Sequence, residues 1–399
     1  MVKKNQIPKI RFNTYSTPWL DYTLIDVIDV IERPFTMFDN ENYQCVTVKR
    51  RNEGIVSRGI FKGSSILVKS QFKLKAGDYL ISKRQVVHGA NGIVPTELDD
   101  AIVSNEYLVF QESEKLNMEF LAIISKLPYM YEAFFLSSNG VHIEKLLFDF
   151  NDWLTRNICI PNKDEQRAIV NFFRSLDETI TLKKQQHIQT QNLKKAMFEK
   201  MFPKKGVDVP EIRFKGFSKP WVEKKLGDCF TERTERSSVG ELLSVTMNSG
   251  VVKASSLQRR DNSSDDKSNY KVVKVDDIAY NSMRMWQGAS GHSQYDGIVS
   301  PAYTIVTPKE NIHSPFFSYF FKKPETILTF EKNSQGLTSD TWNLKFPAFS
   351  KIKTVFPDTT EQIAIGSFFR NLDLLIVTQQ EEIEKLQNVK NAFLNKMFV

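Results

Sequence analysis

The chain has 399 residues, enough for two or three domains that each bury a core. Hydrophobic residues make up 41% and charged residues 25%, a balance typical of soluble globular proteins that excludes a disordered chain. The net charge of +7 and the pI near 9.0 are compatible with a polyanionic partner, although an ordinary basic protein has the same values.

Cysteine usage and the N-terminus indicate the compartment. The cysteines at positions 45, 159 and 229 are far apart and odd in number, so we expect neither a disulfide framework nor a zinc site. No apolar run follows the N-terminal lysines, and no stretch approaches the roughly eighteen apolar residues of a membrane span. We therefore expect a cytoplasmic protein without secretion or membrane insertion.

A motif near the N-terminus occurs again halfway along the chain. Residues 8–12, PKIRF, return as residues 210–214, PEIRF, and each copy is followed by Pro-Trp. The shift of 202 residues falls to 196 from Ile102 and Ile298 onward. We interpret the pattern as a duplication of the whole chain, in which loops absorb the changes in shift.

After each copy of this motif, β-prone runs alternate with turn residues, which predicts a mixed α/β globule in each half. The predicted strands are residues 65–69, 79–82, 101–110, 242–246, 277–281 and 298–306. The predicted short helices are residues 118–136 and 315–331, and residues 204–210 are predicted to link the halves.

Each half ends in a predicted long helix. Residues 161–202 and 357–398 align without a gap at a shift of 196, and between their first and last residues Gly366 is the one glycine or proline. Apolar residues recur every three or four positions, which predicts helices with coiled-coil character. They are Ile365, Phe368, Leu372, Leu375, Ile376, Ile383, Leu386, Phe393 and Met397 in the second copy. The first copy is more polar at its middle, at Lys183, His187, Thr190 and Lys194, so we expect the two helices to bury their stripes against each other.

An antiparallel pair would relate the two halves by a pseudo-two-fold axis. From Leu176 to Phe202 the helix would be roughly 40 Å long at about 1.5 Å per residue. One turn of B-DNA is roughly 34–36 Å. Globules held at that separation could read two separated half-sites on one face of a duplex.

Signatures of catalysis are missing. The sequence contains no G-x-x-x-x-G-K-[ST] loop, no G-x-G-x-x-G after a strand, and no Asn-Pro-Pro or Asp-Pro-Pro. Asp265-Asp266-Lys267 could suggest a nuclease, but we interpret its Ser/Asn-rich surroundings as a solvated loop. No histidine has a partner at metal-ligand spacing; they are His88, His142, His187, His292 and His313. We expect no catalytic residue, metal or cofactor in this chain.

Two pairs of loops are candidates for contacts with bases. The first pair is residues 83–91 and 283–294, and the second is residues 138–142 and 334–339. Arginine can donate two hydrogen bonds to guanine, Asn and Gln can pair with adenine, and glycine permits close backbone approach. For any single residue an ordinary polar connection is an equally good interpretation, and relaxed loop drift also explains why the halves differ here. The candidate DNA-binding residues are Lys83, Arg84, Gln85, His88, Asn91, Asn139, His142, Arg284, Trp286, Gln287, Ser290, His292, Gln294, Gln335, Thr338 and Ser339.

These motifs together resemble a known family. The helix opening P-x-x-x-E-Q-x-x-I at Pro161 and Pro357, its F-F-x-x-L-D continuation, the repeated R-F-x-x-x-S-x-P-W motif and the order globule, helix, globule, helix resemble the specificity subunit of type I restriction-modification enzymes, the HsdS family. The resemblance covers the whole chain. It implies target recognition domains at residues 1–157 and 207–353, each binding one part of a bipartite DNA sequence, and conserved helical regions at 158–206 and 354–399.

The resemblance also implies partners. The helices would pair as an antiparallel spacer and dock two modification (methyltransferase) subunits, which motor-nuclease restriction subunits join. S-adenosylmethionine, ATP and Mg²⁺ would then belong to those partners. The candidate subunit-interface residues are Glu165, Gln166, Phe172, Phe173, Leu176, Glu361, Gln362, Phe368, Phe369 and Leu372.

The main hypothesis is thus a non-catalytic DNA-recognition and scaffold subunit. Two alternatives remain open at this point. One is a self-sufficient nuclease or nucleic-acid-modifying enzyme with a cryptic site, and the other is a coiled-coil adaptor that does not contact DNA.

Overall fold

The computed structural model describes residues 7–69, 71–204, 206–257, 263–339 and 341–399. They form two compact units. Unit 1 contains the described residues up to Leu182 together with Ile383–Val399, and unit 2 contains Lys183–Glu382. Each unit therefore includes part of both long helices. The finer partition at residues 157, 206 and 353 stays a prediction.

Unit 1 is a mixed α/β globule with aromatic-rich packing. Its strands are β1 (Leu20–Thr23), β2 (Asp29–Val30), β3 (Asn42–Val48), β4 (Ile55–Lys62), β5 (Gln71–Lys73), β6 (Tyr79–Ser82), β7 (Asn91–Ile93), β8 (Ile102–Ser104), β9 (Tyr107–Gln111), β10 (Ser138–Asn139), β11 (Leu147–Phe148) and β12 (Asn157–Ile160). Its helices are α1 (Met118–Ile124), α2 (Pro128–Leu136), α3 (Phe150–Leu154) and the first part of α4 (Lys163–Lys200). The sheets have the orders β2-β9-β6-β7 and β4-β3-β8-β5, with the pairs β1-β12 and β10-β11.

Strand β6 lies between two core clusters of unit 1. All four of its residues are buried, because both faces of the strand are covered. Tyr79 and Ile81 point into a cluster with Trp19, and Leu80 points into a second cluster with Val103. The alternation of side chains along a strand thus joins the two cores.

Unit 2 repeats this arrangement. Its elements are β13 (Val222–Lys225), α5 (Leu226–Cys229), β14 (Phe230–Glu232), β15 (Leu243–Thr246), β16 (Gly250–Lys253), β17 (Lys271–Val273), β18 (Ile278–Asn281), β19 (Ser290–His292), β20 (Gly297–Val299), β21 (Tyr303–Pro308), α6 (Ser314–Phe320), α7 (Pro324–Asn333), α8 (Phe346–Phe349), β22 (Lys353–Phe356) and, across both units, α9 (Thr359–Lys396). The order β14-β21-β18-β19 matches β2-β9-β6-β7, and β13-β22 matches β1-β12. A parallel bridge from Leu242 to Ile298 repeats the parallel contact of Cys45 with Ile102. The predicted mixed α/β fold with an internal repeat is confirmed.

The long helices pair antiparallel within each unit. In unit 1 the rings of Phe172 and Phe393 have centroids 4.9 Å apart, and Lys390 forms an ion pair with Asp177 further along α4. In unit 2 the rings of Phe198 and Phe369 are 5.8 Å apart, and Lys194 pairs with Asp373. The two lysine–aspartate pairs are repeat equivalents, displaced by 196 residues.

The polar middle of the first helix has partners. Lys183 forms an ion pair of 2.8 Å with Glu382 of α9. The hydroxyl of Thr190, which is buried, donates a hydrogen bond of 2.9 Å to the Gln186 carbonyl. Polar residues at these positions are therefore compatible with the predicted pairing.

Some predicted elements differ from the structure. Residues 65–69 are not a strand: a 3₁₀ turn ends at Ser65, and the Leu67 side chain is 94% exposed. The runs 101–110 and 298–306 each form two strands separated by a turn. The helices predicted at 118–136 and 315–331 are each divided, because Pro128 and Pro324 cannot continue a helix but can begin one.

The hairpin of β3 and β4 was not predicted from the sequence. The described residues of the predicted linker 204–210 contain no helix or strand. Among the described helices, none combines the length and apolar character that a membrane crossing requires.

Candidate nucleic-acid interface

The loop that follows β6 in unit 1 has a fixed backbone. A 3₁₀ turn at Val86–His88 is closed by Gly89, whose φ of +71° is in the left-handed region that favours glycine. The Gly89 amide donates to the Val86 carbonyl at 2.8 Å, and the Ala90 amide donates to Gln85 at 3.1 Å. A Cβ at Gly89 would lie 3.0 Å from the backbone nitrogen of Asn52, so the loop and a neighbouring turn are in close contact.

Three segments of unit 1 meet at this loop. The β3–β4 turn contacts it through the Arg51 amide, which donates to the His88 carbonyl at 2.7 Å, and the β10–β11 hairpin contacts it through Phe148, whose amide donates to Lys83 at 2.9 Å. The Glu144 carboxylate accepts from Arg50 at 3.0 Å and lies 3.7 Å from His88 Nε2. We name residues 49–53, 83–90 and 139–147 the unit 1 loop surface.

This surface carries more basic than acidic side chains. Its basic residues are Lys49, Arg50, Arg51, Lys83, Arg84 and Lys145, and its acidic residues are Glu53 and Glu144. Sequence reasoning missed Arg50 and Arg51, although the Lys-Arg-Arg run before Asn-Glu-Gly is typical of a basic turn. Such a surface favours a polyanion.

Unit 2 builds the same surface from different residues. After β18 a 3₁₀ turn at Met285–Gln287 is closed by Gly288 at φ +80°, and the Leu344 amide donates to the Ser282 carbonyl at 2.8 Å. The rings of Trp286 and Trp342 meet edge to face with centroids 5.3 Å apart. We name residues 282–289, 335–339 and 341–343 the unit 2 loop surface.

The two loops match residue by residue. Gln85 (φ −132°, ψ 8°) and Arg284 (φ −128°, ψ 11°) have the same backbone conformation before their 3₁₀ turns. The structural equivalent of Arg284 is therefore Gln85, and Arg84 corresponds to Met283. The two halves present different chemistry at the same place.

The two candidate arginines differ in their partners. Arg84 Nε donates to Glu106 at 2.6 Å, and this hydrogen bond raises the pKa of Arg84. Arg284 is exposed and makes no side-chain hydrogen bond or ion pair with a residue that the structure describes. Arg284 is thus the more available of the two for a new bidentate contact.

The candidate DNA-binding residues divide by exposure. Those exposed are Arg84, Asn139, His142, Arg284, Gln287, Gln294, Gln335, Thr338 and Ser339, and those half-buried are Lys83, Gln85, His88, Trp286 and His292. His292 and Gln294 line a groove beside α4 and α9 that also includes Lys194, Lys322 and Arg370, and burial lowers the pKa of His292. Contact with DNA stays a prediction for all of them.

Asn91 and Ser290 do not reach the loop surfaces. They are 2% and 0% exposed and are the first residues of β7 and β19, where they pair with β6 and β18. The sequence predicted that they lie in loops, but both belong to strands, and their side chains are buried. In this structure neither side chain is available to a duplex.

The helix openings bind their own globules. Arg11 donates to the Glu165 carboxylate from Nε at 2.7 Å and from Nη2 at 2.6 Å, and Trp19 Nε1 donates to it at 3.3 Å. In unit 2 Arg213 makes the same two bonds to Glu361, both at 2.6 Å. The hydrogen bonds to these carboxylates raise the pKa of each arginine, and the carboxylates are 1% and 0% exposed.

The adjacent glutamines are also bonded internally. Gln166 Oε1 accepts from the Asn117 amide at 2.8 Å, and its Nε2 donates to Lys115 at 2.7 Å and to Pro161 at 2.9 Å. Gln362 Oε1 accepts from the His313 amide at 3.0 Å. Both side chains are buried and join the helix start to the preceding globule.

These contacts correct the candidate subunit-interface set. Buried within the units are Glu165, Gln166, Phe173, Glu361, Gln362, Phe369 and Leu372, and half-buried are Phe172, Leu176 and Phe368. Phe173 stacks on Phe398 in unit 1, and Phe369 stacks on Phe202 in unit 2. The repeated motifs therefore describe an internal latch between arginine and glutamate, and the seven buried side chains of the candidate interface offer no outer surface to a partner.

Within the part of the chain that the structure describes, no group of three or more His, Cys, Asp or Glu could hold a metal ion. The free cysteines are isolated from one another. Burial raises the pKa of Cys229 to about 11, and burial with the nearby Asp21 raises that of Cys159 to about 12.

Comparison with known proteins agrees with this architecture. Residues 17–192 match the family model described as the type I restriction modification DNA specificity domain. The type I restriction enzyme HindI specificity subunit of Haemophilus influenzae is 25% identical over 201 residues. The match covers 49% of this chain and 42% of that relative, so it spans less than half of the relative's length.

Two solved structures share the fold over nearly their whole length. The crystal structure of the HsdS subunit from Thermoanaerobacter tengcongensis aligns with a TM-score of 0.53 and 17% identity, covering 97% of this chain and 98% of that one. The type I restriction-modification S subunit from M. genitalium aligns with a TM-score of 0.55 and 13% identity, covering 98% and 99%.

The duplicated α/β unit with its paired helices is the fold that the chain shares with these two solved structures. The chain therefore resembles the specificity subunits of type I restriction-modification systems, by sequence over residues 17–192 and by fold over nearly its whole length.

Proposed function

We propose that this chain is the DNA sequence-recognition subunit of a type I restriction-modification complex. Each unit binds one half of a bipartite target through its loop surface. The subunit is non-catalytic, and the chemistry is carried out by its partners in the cytoplasm.

One observation carries this proposal: the same loop surface occurs twice on a repeated scaffold, with different exposed residues in the two copies. The 3₁₀ turns closed by Gly89 and Gly288 have matching conformations. Gln85 and Arg284 nevertheless occupy equivalent positions with different hydrogen-bonding groups. A repeated frame with unlike contact groups is what two unlike half-sites require.

Affinity and sequence choice come from different groups in this account. Exposed lysines and arginines such as Arg50 and Arg51 contact phosphates, which gives salt-dependent affinity without sequence information. Arg284 and Gln287 read base edges in the major groove, where guanine and adenine offer distinct patterns.

The scaffold role falls to the helices. The antiparallel pair of α4 and α9 acts as the spacer, and two modification subunits dock on it. Because Glu165, Glu361 and their neighbours are occupied internally, we assign docking to exposed apolar side chains of the helices. These are Leu182 and Val389 in unit 1, and Ile188, Leu193, Ile363, Leu374, Leu375 and Val377 in unit 2.

The proposal assigns cofactors to the partners. S-adenosylmethionine would bind the modification subunits, and ATP and Mg²⁺ would serve the restriction subunits that join them. The purified chain incubated alone with DNA, Mg²⁺ and S-adenosylmethionine should neither cleave nor methylate. Turnover by the chain alone would favour the alternative of a self-sufficient enzyme.

Binding of the complex with modification subunits to a series of duplexes tests the bipartite reading. The two half-sites are kept constant, and the spacer between them is varied one base pair at a time. We expect a sharp optimum, because each added base pair moves and rotates one half-site relative to the other. Equal binding at all spacings would contradict the spacer role, and equal binding to scrambled half-sites would contradict recognition itself.

A further inference from the structure

Two aliphatic side chains at equivalent positions extend fully into solvent. Val141 is 93% exposed and Leu337 is 101% exposed, and they are related by the shift of 196 residues. Each directly follows a glycine, Gly140 or Gly336, near the apex of a hairpin. A single exposed aliphatic residue is ordinary on a protein surface. Such complete exposure at equivalent positions of both units indicates that the same backbone feature produces it in each.

The hairpin backbones hold these side chains away from the body of each unit. In unit 1 Ser138 and Asn139 pair with Phe148 and Leu147, and a Cβ at Gly140 would lie 3.1 Å from the Lys145 carbonyl. In unit 2 Gln335 bridges Asn343, and a Cβ at Gly336 would lie 2.6 Å from the Thr341 carbonyl. The close crossing of the two strands at glycine fixes the direction of the next residue.

Each hairpin is also joined to its recognition loop. The last residue of the unit 1 hairpin, Phe148, donates its amide to the Lys83 carbonyl, and its equivalent Leu344 donates to the Ser282 carbonyl. Further contacts are the 3.7 Å approach of Glu144 to His88 and the packing of Trp342 on Trp286. The apolar tip and the polar loop thus form one surface and would meet a duplex together.

We propose that Val141 and Leu337 each contact the C5-methyl group of a thymine in the major groove, one in each half-site. The major groove, about 12 Å wide, admits a two-stranded ribbon, whereas the minor groove is only about 6 Å wide. Thymine is the base that presents a methyl group there, so an aliphatic tip selects it by apolar contact. The inference rests on the proposed function, and it identifies one base of each half-site as thymine.

The test couples one methyl group on DNA to one side chain on the protein. Each thymine of the target is replaced in turn by uracil, which lacks the C5-methyl group, and binding of the complex with modification subunits is measured at fixed salt. Wild type is compared with Leu337→Ala. Val239→Ala is the matched control, because Val239 is an 81% exposed aliphatic residue of unit 2 outside the loop surface.

At one thymine of one half-site, uracil should weaken binding by wild type and by Val239→Ala roughly fourfold, the factor for one methyl-sized apolar contact. The same replacement should change binding by Leu337→Ala by less than about twofold, since the contact is already absent. Val141→Ala should give the same result at a thymine of the other half-site. Because both side chains are exposed, the variants remove no internal contact that folding needs.

Three results would overturn the inference. The first is that uracil and Leu337→Ala weaken binding independently of each other at every thymine. The second is a half-site that contains no thymine. The third is a Val239→Ala variant whose binding no longer changes when uracil replaces thymine. In each case sequence-specific binding by the wild type leaves the proposed function standing. Failure of the wild-type complex to distinguish its target from scrambled DNA would instead overturn both.

Discussion

The buried latch between Arg213 and Glu361 should contribute strongly to the free energy of unfolding of unit 2. The Glu361 carboxylate is 0% exposed and accepts two charge-assisted hydrogen bonds of 2.6 Å from Arg213, which is 12% exposed. Arg213→Met removes the partner and leaves a buried charge uncompensated. Breaking a buried pair in this way costs about 3–5 kcal/mol.

Urea unfolding followed by tryptophan fluorescence measures this loss. With a slope of about 2 kcal/mol per M, the midpoint should fall by roughly 1.5–2.5 M. In Arg213→Met with Glu361→Leu, the unpaired charge is gone, so most of the lost stability should return. The matched control is Glu223→Gln, which breaks the exposed 2.9 Å pair with Lys353 and should cost less than about 1 kcal/mol.

Two outcomes would refute the reasoning about the latch. One is an Arg213→Met variant as stable as Glu223→Gln, which would mean that the carboxylate finds water or another donor. The other is a double variant no more stable than the single one, which would mean that packing rather than charge pairing holds the helix start.

The equivalent pairs of the two helices should differ in strength. Asp373→Ala should cost about 1–2 kcal/mol in urea unfolding, because Asp373 accepts from Tyr319 at 2.6 Å as well as from Lys194. Asp177→Ala should cost less than about 1 kcal/mol, and equal losses would contradict this difference. Because burial raises the pKa of Cys159 and Cys229, their thiols should react with iodoacetamide at pH 8 at least tenfold more slowly in the folded chain than in urea; equal rates would contradict their burial.

The sequence was sufficient to predict the repeat and the helices because both depend on local periodicity. Apolar residues such as Phe369 and Met397 recur at helical spacing, and the structure places them in the cores. The polar Lys183 was harder to interpret, since its partner Glu382 is 199 residues away. A pattern along one helix does not identify the residue that faces it.

The latch was missed for a similar reason. A glutamate at the start of a helix is usually solvated, and the family resemblance implied that Glu165 and Glu361 face a partner. Their arginines lie 154 and 148 residues away, and the pairing depends on the tertiary fold. The one available signal was that the Arg-Phe and Glu-Gln motifs are duplicated together.

The loop surfaces were only partly predictable. Gly89 and Gly288 lie within the two predicted loops and close their turns, because a left-handed conformation favours glycine. The sequence did not indicate that Asn91 and Ser290 begin strands, or that the β3–β4 turn brings Arg50 and Arg51 to the same face. Local composition identifies a loop, whereas sheet pairing decides which of its side chains are covered.

Mapping methylated bases in cellular DNA tests the central claim most directly. Cells carrying Arg284→Ala with Gln287→Ala in unit 2 are compared with cells carrying Lys83→Ala with His88→Ala in unit 1. The account predicts that each variant relaxes the methylated sequence in one half-site, a different half for each, with the other half and the spacer unchanged. Relaxation of both halves by either variant, or of the same half by both, would contradict the assignment of one reader to each unit.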